Sequence, residues 1–285
     1  MIFLSVHLIP GDPVQIMFAG HGTAAQIATT RRQLGFDQPL PLQYWKFLLH
    51  ASQLNFGTSI RSGRPVWSEI MERAPYTVAL AACALVLGTT FGLVFGVLSA
   101  LLNRTLAGVG IVGVALLGIS VPDFCLGTIL ALVFGVELGW LPVAGTGGIQ
   151  YLVLPAVTLA VGVAAVLTRV VRSSFVDVLS SEYITVAKAK GLRRVVILGR
   201  HGLRNALLAP LTIFGLVVAY LLSGVVIVEN VFAWPGLGTY AVSAVEARDF
   251  PAIQGITFLF AVIVIVANLL IDISYGLFDP RIHYS

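Results

Sequence analysis

The chain reads Glu182-Tyr183-Ile184-Thr185-Val186-Ala187-Lys188-Ala189-Lys190-Gly191-Leu192 between two long apolar runs, and this stretch decides the fold. More basic and polar residues follow it, namely Arg193, Arg194, Arg200, His201, Arg204 and Asn205. Basic residues accumulate in the cytoplasmic loops of membrane proteins. The stretch therefore predicts on which side of a membrane each loop of the chain lies.

The composition indicates a membrane protein. Hydrophobic residues make up 58% of the chain and charged residues 11%, whereas a soluble domain carries about 25% charged residues. Four stretches contain no Asp, Glu, Lys or Arg, and each exceeds the roughly 20 apolar residues that cross a bilayer; they are residues 74–103, 138–168, 205–228 and 250–271. We predict an all-α, polytopic transmembrane bundle rather than a barrel, whose strands would alternate apolar and polar residues.

Five clear spans are predicted, at residues 76–102, 106–136, 151–171, 206–228 and 253–276. Residues 1–9 are apolar but too short to span, and they are interpreted as the remnant of a first transmembrane helix, with an interfacial stub as the alternative. Residues 10–75 are predicted to form a small, mostly helical extracytoplasmic segment. Its helix signals are a capping-box pattern at Thr23 and Gln26, and prolines at positions 41 and 65.

The distribution of basic residues predicts the orientation. The loop 172–205 holds many Lys and Arg residues against only Asp177 and Glu182, so we expect it to be cytoplasmic. Counting spans from there places the loops 137–150 and 229–251 outside. Residues 10–75 also carry basic residues, but long segments translocate largely regardless of charge. Residues 76–285 then form the membrane core.

The quoted stretch has the signals of a short helix with defined ends. Ser181 is a favourable N-cap, and Glu182 suits the positive end of the helix dipole. Lys188 and Lys190 suit the negative end, and Gly191 can adopt the left-handed conformation that ends a helix. A slim helix of this kind can enter a cleft on another protein. The alternative is a basic loop that only anchors the topology.

The order of residues in this stretch resembles the coupling loop of binding-protein-dependent ABC importer permeases. More narrowly, it is similar to the peptide/nickel permease family, first-subunit type. The matching coupling positions are Glu182, Tyr183, Ala187, Lys188, Ala189, Lys190, Gly191, Leu192, Arg204 and Asn205. Other stretches resemble the family in the same order along the chain, including Pro10-Gly11-Asp12-Pro13, Ser120-Val121-Pro122, Glu229-Asn230-Val231-Phe232-Ala233-Trp234-Pro235-Gly236 and Asp279-Pro280-Arg281.

The resemblance implies a permease subunit in the plasma membrane of a prokaryote, forming half of a translocation pathway for di- or oligopeptides. It implies a second homologous permease, two ATPase subunits that bind ATP and Mg²⁺, and an extracytoplasmic substrate-binding protein as partners. The chain itself has no G-x-x-x-x-G-K-[ST] phosphate loop, and its histidines are scattered rather than clustered as metal ligands. We therefore expect no catalytic residues, no cofactor and no metal site in it. Nickel or another small solute is the alternative substrate. A secondary transporter is the alternative class, but the inverted repeats typical of that class are not seen.

Six further residues are candidates for a role in the membrane. Gly88, Gly92 and Gly96 recur every fourth residue and predict close helix packing. Three others are candidates for the pathway or its gate, namely Asp123, Glu229 and Trp234. The alternatives are a local backbone contact for the aspartate, a helix cap or a pair with Arg248 for the glutamate, and an interfacial anchor for the tryptophan.

Overall fold

The computed structural model describes residues 23–34, 37–203 and 206–278. The predicted first-helix remnant at residues 1–9 lies outside the described residues. So do two of the predicted coupling residues, Arg204 and Asn205.

The described residues form helices joined by turns. We number the helices in chain order, and two of them continue directly as π-helical segments. They are α1 (Ala24–Leu34), α2 (Leu40–Ser52), α3 (Val66–Leu101), α4 (Leu106–Ser120), α5 (Asp123–Leu130, with the π-helical segment Ala131–Glu137), α6 (Ile149–Ser180), α7 (Glu182–Ala189), α8 (Arg194–Val196, with the π-helical segment Ile197–Leu203), α9 (Leu208–Val231), α10 (Leu237–Glu246) and α11 (Phe250–Phe278).

Within the described residues, four helices are long and apolar enough to cross a membrane, namely α3, α6, α9 and α11. A fifth crossing is possible if α4 and the α5 segment form one span. The prediction of a polytopic helical membrane fold is confirmed.

The predicted span 106–136 is not one straight helix. It breaks between α4 and α5, whose axes are bent by 102°. Pro122 explains the break, because proline lacks the amide hydrogen that a helix needs and disfavours helical geometry in the residue before it. Val121 accordingly has extended backbone angles, with φ −89° and ψ 121°.

The start of the first long helix also differs from the expectation. Pro65 does not begin a separate short helix. It directly precedes α3, which runs for 36 residues from Val66 and includes Pro75.

The predicted capping box in the N-terminal segment is confirmed. The Thr23 amide donates to Gln26 Oε1 at 2.9 Å, and the Gln26 amide donates to Thr23 Oγ1 at 3.3 Å.

The chain divides into two compact units. The first unit combines Met1–Tyr76 with Pro235–Val262, a grouping that the sequence did not predict. In it, the buried carboxylate of Asp249 accepts hydrogen bonds from the Ser59 hydroxyl and from the Ala252 amide at 3.3 Å, so it caps the start of α11. The guanidinium of Arg73 lies 4.4 Å from the centre of the Tyr240 ring. Burial raises the pKa of the Tyr240 hydroxyl.

The second unit contains Thr77–Trp234 and Ile263–Ser285, and α6 lies at its centre. In the most apolar stretch of α6, 61% of the residues are buried, against 11% to 33% for the other long helices. α3 approaches α6 through its glycines. A Cβ atom added to Gly88, Gly92 or Gly96 would lie 2.6 Å from a side-chain Cβ of α6. Real Cβ atoms do not come so close, so any side chain there must move the helices apart.

We predict that Gly92→Ala lowers the free energy of unfolding by about 1–3 kcal/mol, because the added methyl group overpacks the contact with Leu167. The unfolding midpoint of the detergent-solubilised protein measures this loss. Gly113→Ala is the matched control, because a Cβ at that helical glycine meets nothing within 4 Å. Equal midpoints for the two variants would contradict close packing at Gly92.

Candidate functional site

Helix α7 occupies the predicted coupling stretch, and both of its ends are defined. Ser181 stands at the N-cap position with φ −70° and ψ 152°, but its hydroxyl donates to the carbonyl of Val178 at 2.6 Å rather than capping α7. At the other end, Gly191 has φ +72°, which confirms the predicted left-handed residue. The chain can turn sharply there because glycine has no Cβ.

The inner side of α7 is packed against the segment that follows it in the chain. Ile184 and Ala187 are buried, and they form a small apolar cluster with Ile197 from the second π-helical segment. Ala187 therefore supports the position of α7 rather than presenting a surface to another protein. A large substitution there would disturb this packing first.

The outer side of α7 is open. Val186 is 52% exposed and Tyr183 is 42% exposed. Six other residues of the predicted coupling set are exposed as well, namely Glu182, Lys188, Ala189, Lys190, Gly191 and Leu192. This mixture of apolar and cationic groups suits a contact with another protein more than it suits water alone.

A second apolar cluster connects the loop to α6. Phe175 of α6 is almost fully buried, and Leu198 and Leu203 of the π-helical segment pack in its cluster. A Cβ on Gly202 would lie 3.4 Å from the Phe175 ring. Helix α7 is thus connected through Ile197 and the π-helical segment to the central helix of the unit.

Asp123 is the first residue of α5, at the bend in the second predicted span. The Tyr220 hydroxyl of α9 lies 3.1 Å from Asp123 Oδ1 and 3.3 Å from Oδ2, so it can donate to either oxygen. A Cβ on Gly224 would lie 2.7 Å from Oδ2. The aspartate is therefore held at α9 by a hydrogen bond from Tyr220. The sequence analysis did not identify this tyrosine, because a single tyrosine in an apolar run does not indicate its partner.

Glu229 lies on the buried side of α9. Its side chain has no exposed surface, and the Thr77 hydroxyl of α3 donates to its Oε1 at 2.6 Å. Thr77 is itself buried at 3% exposure. The structure thus places this carboxylate in a contact between helices, and Thr77 is a second residue that the sequence did not point to.

Trp234 follows Glu229 after the end of α9. It is 6% exposed and belongs to the main apolar cluster of its unit. Its amide donates to the carbonyl of Glu229 at 2.8 Å. The indole therefore packs in the core of the unit rather than at an open surface.

Comparison with known families places the chain in a class. Residues 92–284 match the model of the binding-protein-dependent transport system inner membrane component. Residues 1–81 match the N-terminal family of membrane components of the same transport systems. The chain belongs to this family and is an ABC importer permease subunit, a multi-pass protein of the bacterial inner membrane. The resemblance to the peptide/nickel type is confirmed.

Two curated relatives that cover the whole chain share one name. The chain is 43% identical over 286 residues to the glutathione transport system permease protein GsiC of Salmonella choleraesuis (strain SC-B67), covering 100% of this chain and 93% of the relative. It is 42% identical over 285 residues to GsiC of Escherichia coli (strain K12), with the same coverage.

Solved structures share the fold. An inward-facing structure of the MetNI methionine ABC transporter matches with a TM-score of 0.63 at 17% identity, covering 74% of this chain and 96% of the other. An amino acid ABC transporter matches with a TM-score of 0.57 at 14% identity, covering 75% and 94%. At these identities the likeness concerns the fold alone.

We predict that Thr77→Val lowers the free energy of unfolding by about 1–3 kcal/mol, because it removes the hydrogen bond that Thr77 donates to the buried Glu229 carboxylate. The unfolding midpoint of the purified protein measures the change. Thr77→Ser is the control, because serine keeps the hydroxyl. If valine and serine had the same effect, the hydrogen bond would not stabilise the fold.

Proposed function

We propose that this subunit forms half of a translocation pathway for short peptides in an ATP-driven importer. The similarity to relatives named glutathione transport permeases over the whole chain carries the proposal, because glutathione is itself a tripeptide. The resemblance to the peptide/nickel family supports the same substrate class. Peptides of two or three residues are the expected cargo.

The proposed assembly contains four kinds of subunit. A second homologous permease completes the pathway, two ATPase subunits bind ATP and Mg²⁺, and an extracytoplasmic binding protein delivers the substrate. The family supports these partners in general, since its members are components of binding-protein-dependent transport systems. In this assembly the permease needs no cofactor of its own.

The outer side of α7 is the proposed contact with an ATPase subunit. Val186 and Tyr183 would lie in a cleft of the ATPase, and Lys188 and Lys190 would lie at its edge. Arg204 and Asn205 belong to the same proposed set on the sequence alone. The buried contacts of Ile184 and Phe175 carry a displacement of α7 to α6.

Transport follows from a change in relative stability of two states. ATP binding draws the two ATPases together, and α7 moves with its ATPase, so that the outward-facing state is favoured. Hydrolysis of ATP restores the inward-facing state. The ATPases can drive this change only because they bind the two states with different affinities.

The proposed contact through the outer side of α7 can be tested by placing a larger side chain there. We predict that Val186→Trp lowers ATP-driven uptake at least about ten-fold, since an indole in a closely packed interface costs more than 1.4 kcal/mol. ATPase activity that continues without uptake, or loss of the ATPases from the purified complex, is the expected signature.

Leu106→Trp serves as the matched control. Leu106 is 92% exposed at the start of α4, so this substitution adds the same indole at an exposed position outside α7. Normal uptake by the Val186 variant, or an equal loss in the control, would contradict docking through this face.

The substrate class is tested with the complete importer in liposomes. We expect ATP-dependent accumulation of a labelled dipeptide and of glutathione when the binding protein is present, and none when ATP is replaced by a non-hydrolysable analogue. ATP-dependent uptake of Ni²⁺ without uptake of either peptide would overturn the proposal. Uptake by this permease alone, driven by an ion gradient, would overturn the class.

A further inference from the structure

Helix α9 exposes its side chains along a single face. The structure describes the side chains of residues 210–231, and six of these are exposed. The six follow one another at steps of three or four residues, which places them on one side of a helix. They are Thr212, Leu216, Tyr220, Ser223, Ile227 and Asn230.

This face does not have the chemistry of a lipid-facing surface. Four of its six side chains carry a hydroxyl or an amide, although α9 is one of the apolar spans. Polar side chains within a membrane normally face a bundle interior or a water-filled cavity. Helix α4 shows the contrast, because its exposed positions Val109, Val114 and Leu117 are apolar and 60–71% exposed.

A carboxylate stands beside the polar face. Asp123 is partly exposed and accepts a hydrogen bond from the Tyr220 hydroxyl of α9. Its carboxylate also lies against Gly224 of α9. A carboxylate offers about four acceptor positions, so Asp123 can bind a cationic group in addition to the tyrosine.

The second unit also has an apolar cavity, which is a poorer candidate for a site that a peptide passes through. Its volume is about 450 Å³, and it lies among α3, α4 and α6. Thr168 supplies the hydroxyl in a lining that otherwise consists of side chains such as Phe91, Val114 and Val161. A zwitterionic peptide would lose its hydration there without gaining polar contacts.

We propose that the polar face of α9 together with Asp123 is the wall of the translocation path, and that the Asp123 carboxylate receives the ammonium group of the passing peptide. The ammonium contact rests on the proposed peptide substrate. The position of the wall does not, because it follows from exposure and side-chain chemistry alone.

The wall is tested with thiol reagents that cannot enter a bilayer. In the assembled importer, with Cys83 and Cys125 replaced by alanine, Ser223→Cys and Asn230→Cys should react with a water-soluble methanethiosulfonate. Leu117→Cys on α4 is the matched control, because Leu117 is exposed and apolar and does not line the cavity. It should react at least about ten-fold more slowly, since a thiol in lipid does not ionise. If both α9 cysteines reacted as slowly as the control, the wall would lie elsewhere.

The charge of Asp123 is tested with the same cysteine. Ser223→Cys should react about ten-fold faster with a cationic than with an anionic methanethiosulfonate, relative to the two reagents' rates on a free thiol. Adding Asp123→Asn should remove this preference. A preference that persists without the carboxylate would overturn the proposed cation site.

Peptide uptake separates recognition from structure. Asp123→Asn keeps an acceptor for the Tyr220 hydroxyl but loses the charge, so uptake of a dipeptide with a free amino terminus should fall about ten-fold. Tyr220→Phe keeps the charge and loses the hydrogen bond, so uptake should change by about three-fold or less. Equal losses in the two variants would indicate a structural role and reject the ammonium contact.

One result separates this inference from the function on which it rests. If the unmodified importer takes up no peptide, the substrate class and the ammonium contact are both rejected. The thiol reactions then still decide whether the polar face of α9 lines a water-filled path.

Discussion

The rest of the second unit depends on the close approach of α3 and α6. Lipid chains are as apolar as leucine side chains, so helices in a bilayer associate through van der Waals contact rather than through the hydrophobic effect. Gly92 lets the α3 backbone come within contact of Leu167, and the same contact is repeated one turn before and one turn after it. Because glycine adds no side chain at these points, α6 has one closely defined position. Other elements are then placed on α6, among them α4, where Gly118 lies against Val161.

This position of α6 has a mechanical consequence. The helix continues from the packed membrane region to Ser180 and is followed two residues later by α7. Phe175 joins the C-terminal part of α6 to the π-helical segment, which in turn contacts the buried side of α7 through Ile197. A displacement of α7 therefore meets close-packed side chains at each step, and close-packed interiors transmit strain instead of absorbing it. This geometry supports the proposal that an ATPase subunit acts on α7.

Much of the architecture was accessible from the sequence, because charge-free runs and glycine spacing are local signals. The left-handed Gly191 and the Thr23 capping box belong to the same group. The partners of membrane polar residues were not accessible, since Tyr220 and Thr77 lie about 100 and 150 positions away from Asp123 and Glu229 along the chain. Periodicity shows which residues share a face, but not which helix covers that face. For the same reason the grouping of Pro235–Val262 with the N-terminal unit was not foreseen.

The two membrane carboxylates show how burial separates structure from function. Sequence alone treats Asp123 and Glu229 alike, as ionisable groups that are costly within a membrane. Glu229 has no exposed surface and accepts a hydrogen bond from Thr77. The free-energy cost of burying its carboxylate is therefore offset within the protein, and a passing molecule cannot reach it. Asp123 is partly exposed, receives one tyrosine hydroxyl and stands beside the polar face of α9. A carboxylate that keeps acceptor positions open toward such a face is stabilised further only by what arrives there, and a cation is the ligand that its charge favours.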